Sequence, residues 1–95
     1  MKSTLKILFA DDDLKYSLVL KRFLEREGYE VTYTGNGTMA LEQFPVVKPD
    51  LVLLDIQLPI LNGLEVLKTI RKTSSVPVLM LTAFHDEDYK LTAFG

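Results

Sequence analysis

Apolar residues fall along this chain in short blocks that switch between two periods. Leu5 to Ala10 is apolar except for Lys6, as a strand buried on both faces would be. Tyr16, Val19, Leu20, Phe23 and Leu24 then recur at i, i+3, i+4, i+7 and i+8, which predicts a helix burying that stripe. Asp13 is placed to cap its start, and Gly28 to end it in the position that favours glycine. Tyr29 to Tyr33 alternates apolar and polar, the mark of a half-buried strand. Gly35-Asn36-Gly37 reads as a turn, and a short helix from Thr38 to Phe44 is expected to stop at Pro45. Leu51 to Leu54 is a continuous apolar run closed by Asp55, followed by the loop Gln57 to Gly63. Val66, Leu67 and Ile70 mark a third helix, Val78 to Leu81 a fourth strand, and Asp86 to Gly95 reads as a fourth helix.

Strand and helix alternating in this way predict a parallel sheet with helices on both faces. The alternating strand belongs at an edge and the continuously apolar ones inside. The order 2-1-3-4 satisfies this together with right-handed crossovers, one helix lying on one face and two on the other. This is a doubly wound, flavodoxin-like α/β arrangement. Its strand order reverses between the first and third strands, and ligands in such sheets bind at the carboxyl ends beside that point.

Composition narrows the chemistry. In 95 residues, one domain spanning 1–95, 47% are hydrophobic and 25% charged, far too apolar for disorder. Eleven basic against thirteen acidic side chains leave a net charge of −2, no electrostatic basis for direct nucleic-acid binding. The absence of cysteine and the single histidine exclude a disulfide framework, thiol catalysis and a multi-histidine metal site. Apolar runs such as Leu51 to Leu54 are far short of the ~20 residues a membrane helix needs, and the start lacks a signal-peptide core. The default expectation is a cytoplasmic protein.

The carboxyl ends of the predicted strands carry the candidate site. The first strand runs into Asp11-Asp12-Asp13, the third ends in Asp55 and the fourth in Thr82. An acidic run after a strand is commonly just a solvated loop with a cap, and threonine is ordinary in strands. Asp55 is harder to dismiss, because a carboxylate closing an apolar strand needs a partner. Crowded together, Asp11, Asp12 and Asp55 would raise one another's pKa, and a hard divalent cation would relieve them. Oxygen-only ligands favour Mg2+, and such a cluster beside a hydroxyl suits phosphoryl transfer.

At these residues the chain resembles the receiver domain of a two-component response regulator. The stretches that carry the resemblance are Ile7–Asp13, Pro49–Pro59, Asn62-Gly63 and Val76–Ala83. It implies that Asp55 is the phosphoacceptor for a sensor histidine kinase. Asp12 would ligate Mg2+ directly, Asp11 mostly through water, and Gln57 through its backbone carbonyl. Thr82 would hydrogen-bond a phosphoryl oxygen, while Gln57 and Phe84 would occupy positions that tune reaction rates. Such a domain catalyses its own phosphorylation and dephosphorylation and is not a conventional enzyme.

The departures are as specific. Receivers have a fifth βα unit, and the chain reaches Gly95 without a counterpart to the family's phosphate-contacting lysine or its aromatic switch residue. That keeps alternatives in view: a non-phosphorylated interaction module, or a piece of a longer transcriptional regulator whose effector domain is not encoded here. An aspartate-nucleophile phosphatase is disfavoured, since Gln57 stands where its second aspartate belongs, and no Gly-rich phosphate loop follows the first strand. Without a fifth unit, Val78 to Leu81 becomes an open apolar edge, which predicts association through that strand or through exchanged elements. His85 reads as solvent-exposed, Met39 and Met80 as core filler, and Lys21 and Glu25 as an i,i+4 ion pair. The loop Leu58 to Leu61 offers either a partner contact or a cap on the core.

Overall fold

The computed structural model describes residues 4–83 and 89–94, with side chains described as far as Leu81. The elements run β1 (Lys6–Ala10), α1 (Leu14–Arg26), β2 (Glu30–Thr34), α2 (Gly37–Val47), β3 (Leu51–Asp55), α3 (Gly63–Arg71), β4 (Val78–Ala83) and β5 (Tyr89–Phe94). The first four strands are parallel in the order β2-β1-β3-β4, as their composition predicts, with β2 at the edge. Because side chains alternate across a strand, the central strands feed two separate cores. Leu8, Ala10, Val52, Leu54, Val78 and Met80 point toward α2 and α3, where Ala40, Val66 and Ile70 close over them. Ile7, Phe9, Val31 and Leu53 point the other way, toward Leu20 and Leu24 of α1.

Caps set the helix starts. Asp13, Asn36 and Asn62 each accept a hydrogen bond from the backbone N–H three residues on, at 3.1, 2.8 and 3.0 Å. Gly28 follows the C-cap of α1 at φ +100°, where an L side chain would be strained. Lys21 Nζ and Glu25 lie 2.7 Å apart, as their spacing predicts.

Four expectations are corrected. Pro45 does not stop α2, which continues to Val47. The proline lies in the last turn, so it removes one hydrogen bond, and half-buried Leu41 and Phe44 keep the helix on its core. The buried side of α1 is Ser17, Leu20 and Leu24, while Tyr16, Val19 and Phe23 of the predicted stripe are 48%, 70% and 56% exposed. The apolar stripe is wider than the contact. α1 lies toward β2, and beyond it an open groove of about 310 Å³ remains, lined by Leu24, Tyr29, Leu51, Leu53 and Leu79. Met39 is exposed, whereas Met80 is fully buried as expected.

The fourth correction concerns the end of the sheet. Tyr89–Phe94, expected to be helical, forms β5 antiparallel to β4, with Thr82 opposite Lys90 and Val78 opposite Phe94. The segment is rich in β-favouring residues, and the open edge of β4 offers it a full row of backbone partners. The β4 edge expected to drive self-association is therefore paired within the chain. Phe84 and His85 lie outside the described residues.

After β3 the loop turns back sharply. Leu58 is buried and Leu61 half-buried against the α2–α3 core, while Ile60 is 80% exposed at φ +72°. Gly63 lies where a Cβ would strike the backbone carbonyl of Asp55, 2.8 Å from Met80 Cε and 3.0 Å from Ile56 Cα. Its N–H donates to the Ile56 carbonyl at 2.9 Å. Replacing Gly63 by Ala should destabilise the fold by about 3 kcal/mol, because backbone and not a flexible side chain has to yield. Urea unfolding checks this, with a loss of under about 0.5 kcal/mol contradicting the close approach.

Candidate functional site

Three strand ends meet at the carboxyl edge of the sheet. β1 and β3 are neighbours, with Ala10 level with Leu54, so the next residues, Asp11 and Asp55, emerge side by side. Carboxylate oxygens of Asp11, Asp12 and Asp55 all lie within 4.8 Å of one another. Asp11 is buried at 6% exposure, Asp55 is half-buried and Asp12 is exposed, so the cluster has a closed floor and an open mouth.

Local backbone holds these carboxylates. Asp11 Oδ1 accepts the N–H of Asp13 at 3.0 Å, and Asp55 Oδ1 accepts the N–H of Gln57 at 3.1 Å. Each is a two-residue turn in which the side chain bonds its own following backbone. Asp13 caps α1 and so is engaged elsewhere. The Ile56 N–H donates to Leu81 at 3.1 Å, tying the residue after Asp55 to β4. Leu81 is level with Asp55, so Thr82 is one step further along the same edge. Its side chain lies outside the described residues. Gln57 stands in the loop two residues past Asp55 and is exposed.

The electrostatics follow from this crowding. Burial raises the Asp11 carboxyl from the ordinary 3.8 to about 6, against the lowering effect of the Asp13 N–H, with Asp55 and Asp12 adding repulsion. Burial likewise raises Asp55, opposed by the Gln57 N–H and reinforced by Asp12. At this separation a proton on one carboxyl relieves the repulsion felt by the other. The arrangement can therefore present one ionised carboxylate as a nucleophile beside a pocket that favours positive charge. An all-oxygen donor set of three clustered carboxylates, two with raised pKa, suits a hard divalent cation.

Comparison with known proteins now bears on the family. The response regulator receiver domain matches residues 7–95. This chain belongs to that family. The receiver is 49% identical over 78 residues to the transcriptional regulatory protein CpxR homolog of Haemophilus influenzae, covering 82% of this chain and 34% of that protein. It is 43% identical over 81 residues to the DNA-binding response regulator MtrA of Mycobacterium tuberculosis, covering 85% and 36%. The BeF3-activated receiver domain of RstA from Klebsiella pneumoniae superposes with a TM-score of 0.80 at 34% identity, over 87% of this chain and 70% of that one. The chain thus spans about a third of the length of those two regulators.

The structure brings together Asp11, Asp12 and Asp55 as the sequence leads one to expect, and places the Gln57 backbone against Asp55. Sequence reasoning gave no role to two residues that shape the receiver site. Gly63 lies against the Asp55 carbonyl, a closeness hinted at only by a glycine opening a helix after Asn62. Tyr33 donates its hydroxyl to the Asp11 carbonyl at 2.6 Å, and no sequence signal beyond its place at the end of an alternating strand marked it.

The raised pKa of Asp11 fixes the sign of a pH effect. Between about pH 4 and 6 the folded metal-free receiver keeps a proton that the unfolded chain has released, so this group's stabilisation is lost as pH rises through that window. At neutral pH the penalty should amount to about 1–2 kcal/mol, allowing for screening by solvent at the open mouth. Without metal, Asp11→Asn should therefore be more stable than wild type at pH 7.5 and lose that advantage near pH 4. Paired thermal melts at the two pH values check this, and an advantage that does not change with pH contradicts it.

Proposed function

We propose that this receiver accepts a phosphoryl group from a sensor histidine kinase onto Asp55, in a reaction that depends on Mg2+. The observation that carries the reading is the Asp55 carboxylate held at the end of β3, ringed by Asp11 and Asp12 within 4.8 Å. The Gln57 N–H fixes one Asp55 oxygen, leaving the other to approach phosphorus in line. A P–O bond forms as the P–N bond to the donor imidazole breaks, with the electron pair leaving on nitrogen. The product is an acyl phosphate on Asp55.

Asp12 and Asp11 would hold Mg2+ together with Asp55 and the Gln57 carbonyl. Once bound, the cation would neutralise charge on the carboxylates and on the incoming phosphoryl oxygens. Thr82, at the same edge, would donate its hydroxyl to a phosphoryl oxygen. The receiver itself supplies this positioning, so small phosphodonors should also react, slowly. It is its own substrate and not a conventional enzyme.

The names of its relatives, a transcriptional regulatory protein and a DNA-binding response regulator, support an output domain that contacts DNA under this receiver's control. The net charge of −2 gives the receiver itself no basis for that contact. A cytoplasmic location accords with this role. Among the described residues no helix is long and apolar enough to cross a membrane.

With acetyl phosphate or a histidine kinase as donor, the wild type should acquire a hydroxylamine-sensitive label that EDTA abolishes. Asp55→Asn should label at background while still unfolding cooperatively and melting no lower than wild type without metal. Equal labelling of the two chains would contradict the assignment. A wild type that neither labels nor binds beryllium fluoride with Mg2+ would instead point to an interaction module.

A further inference from the structure

Asp11 is held from β2 at both of its backbone polar atoms. Its N–H donates to the Thr34 carbonyl at 3.2 Å, the bond expected from continuing the parallel ladder. Its carbonyl accepts from the Tyr33 hydroxyl at 2.6 Å, which no ladder supplies. That distance is at the short end for O–H···O hydrogen bonds. The register explains how the phenol reaches it. Tyr33 is level with Phe9, its ring lies against the Phe9 ring at 5.8 Å and 57°, and its hydroxyl extends two residues along, to Asp11.

The Asp11 carbonyl and the Asp12 N–H belong to one rigid peptide plane. Fixing the carbonyl toward β2 therefore fixes the direction in which Asp12 leaves the strand. Asp12 needs this, because it is exposed and lies past the end of the β1 pairing. Asp11, by contrast, is anchored again through its side chain to Asp13.

We propose that Tyr33 is a positioning residue for the acidic site. Its hydroxyl sets the Asp11–Asp12 peptide, so that the carboxylates of Asp11 and Asp12 meet a divalent cation already in place. The ring supplies packing, and the hydroxyl supplies order at the site. This inference rests on the Mg2+ reading above. Partners of this indirect kind commonly contribute tenfold or more to metal affinity.

The test is a Mg2+ titration of wild type, Tyr33→Phe and Tyr33→Leu, followed by the Asp12 and Asp13 amide resonances, beside metal-free melting of each chain. Tyr33→Phe keeps the ring and should bind Mg2+ about tenfold more weakly. Tyr33→Leu should bind no more weakly than Tyr33→Phe while melting at a lower temperature, since only it loses the ring. Wild-type affinity in Tyr33→Phe overturns the proposal. So does a loss of affinity confined to Tyr33→Leu in step with stability, or a Tyr33→Phe chain that fails to fold, since either makes the role structural. A wild type that binds no Mg2+ contradicts the metal reading itself and this inference with it. Wild-type binding left intact in Tyr33→Phe sinks only the inference.

Discussion

Three carboxylates within 4.8 Å of one another, one of them buried, are costly to charge together without a nearby cation. The receiver meets this constraint in two ways. Without metal, burial keeps a proton on Asp11 up to about pH 6. A divalent cation bound as proposed above would take the same oxygens as ligands and displace the proton. The site thus holds unfavourable electrostatics that only a cation, or protonation, removes. Under the proposed function, that cost would couple metal binding to phosphoryl chemistry at Asp55.

The sheet is what enforces the crowding. β1 and β3 pair in a register that sets Ala10 level with Leu54, so Asp11 and Asp55 emerge together whether or not their charges favour it. Cores on both faces fix the strands in that register. Leu8, Ala10, Val52 and Leu54 are completely buried on one side, and Phe9 on the other. A slip of one residue would send each of them to the opposite face, where the packing is built for different side chains. Gly63 and Tyr33 extend this rigidity past the strand ends. The first lets the loop after β3 return against the Asp55–Ile56 backbone. The second ties the Asp11–Asp12 peptide to β2.

What could be read from the sequence was what repeats or ends abruptly. Continuous apolar runs identified β1, β3 and β4 as interior strands, and alternation placed β2 at the edge, which together gave the order 2-1-3-4. Asp55 stood out because a charge closes an apolar run. On α1, Tyr16, Val19 and Phe23 continue an apolar stripe wider than the surface the helix packs on. Periodicity shows which residues share a side, not how far a helix reaches across a sheet. Pro45 does not end α2, because a proline in a last turn removes a single bond. Tyr89–Phe94 carries both helix-like and strand-like features, and the open edge of β4 decided between them. The Tyr33 contact depends on cross-strand register, which no local pattern encodes.

The most direct test of the central claim is the melting temperature of the receiver as a function of Mg2+ at pH 7.5, compared with Asp12→Ala. If crowded carboxylates are relieved by the cation, wild type should gain about 1.4 kcal/mol when Mg2+ reaches ten times its Kd, rising with the logarithm of concentration thereafter. Asp12→Ala should lose most of that gain and, without metal, melt no lower than wild type. A wild-type melting temperature indifferent to Mg2+, with Ca2+ equally without effect, would contradict the account.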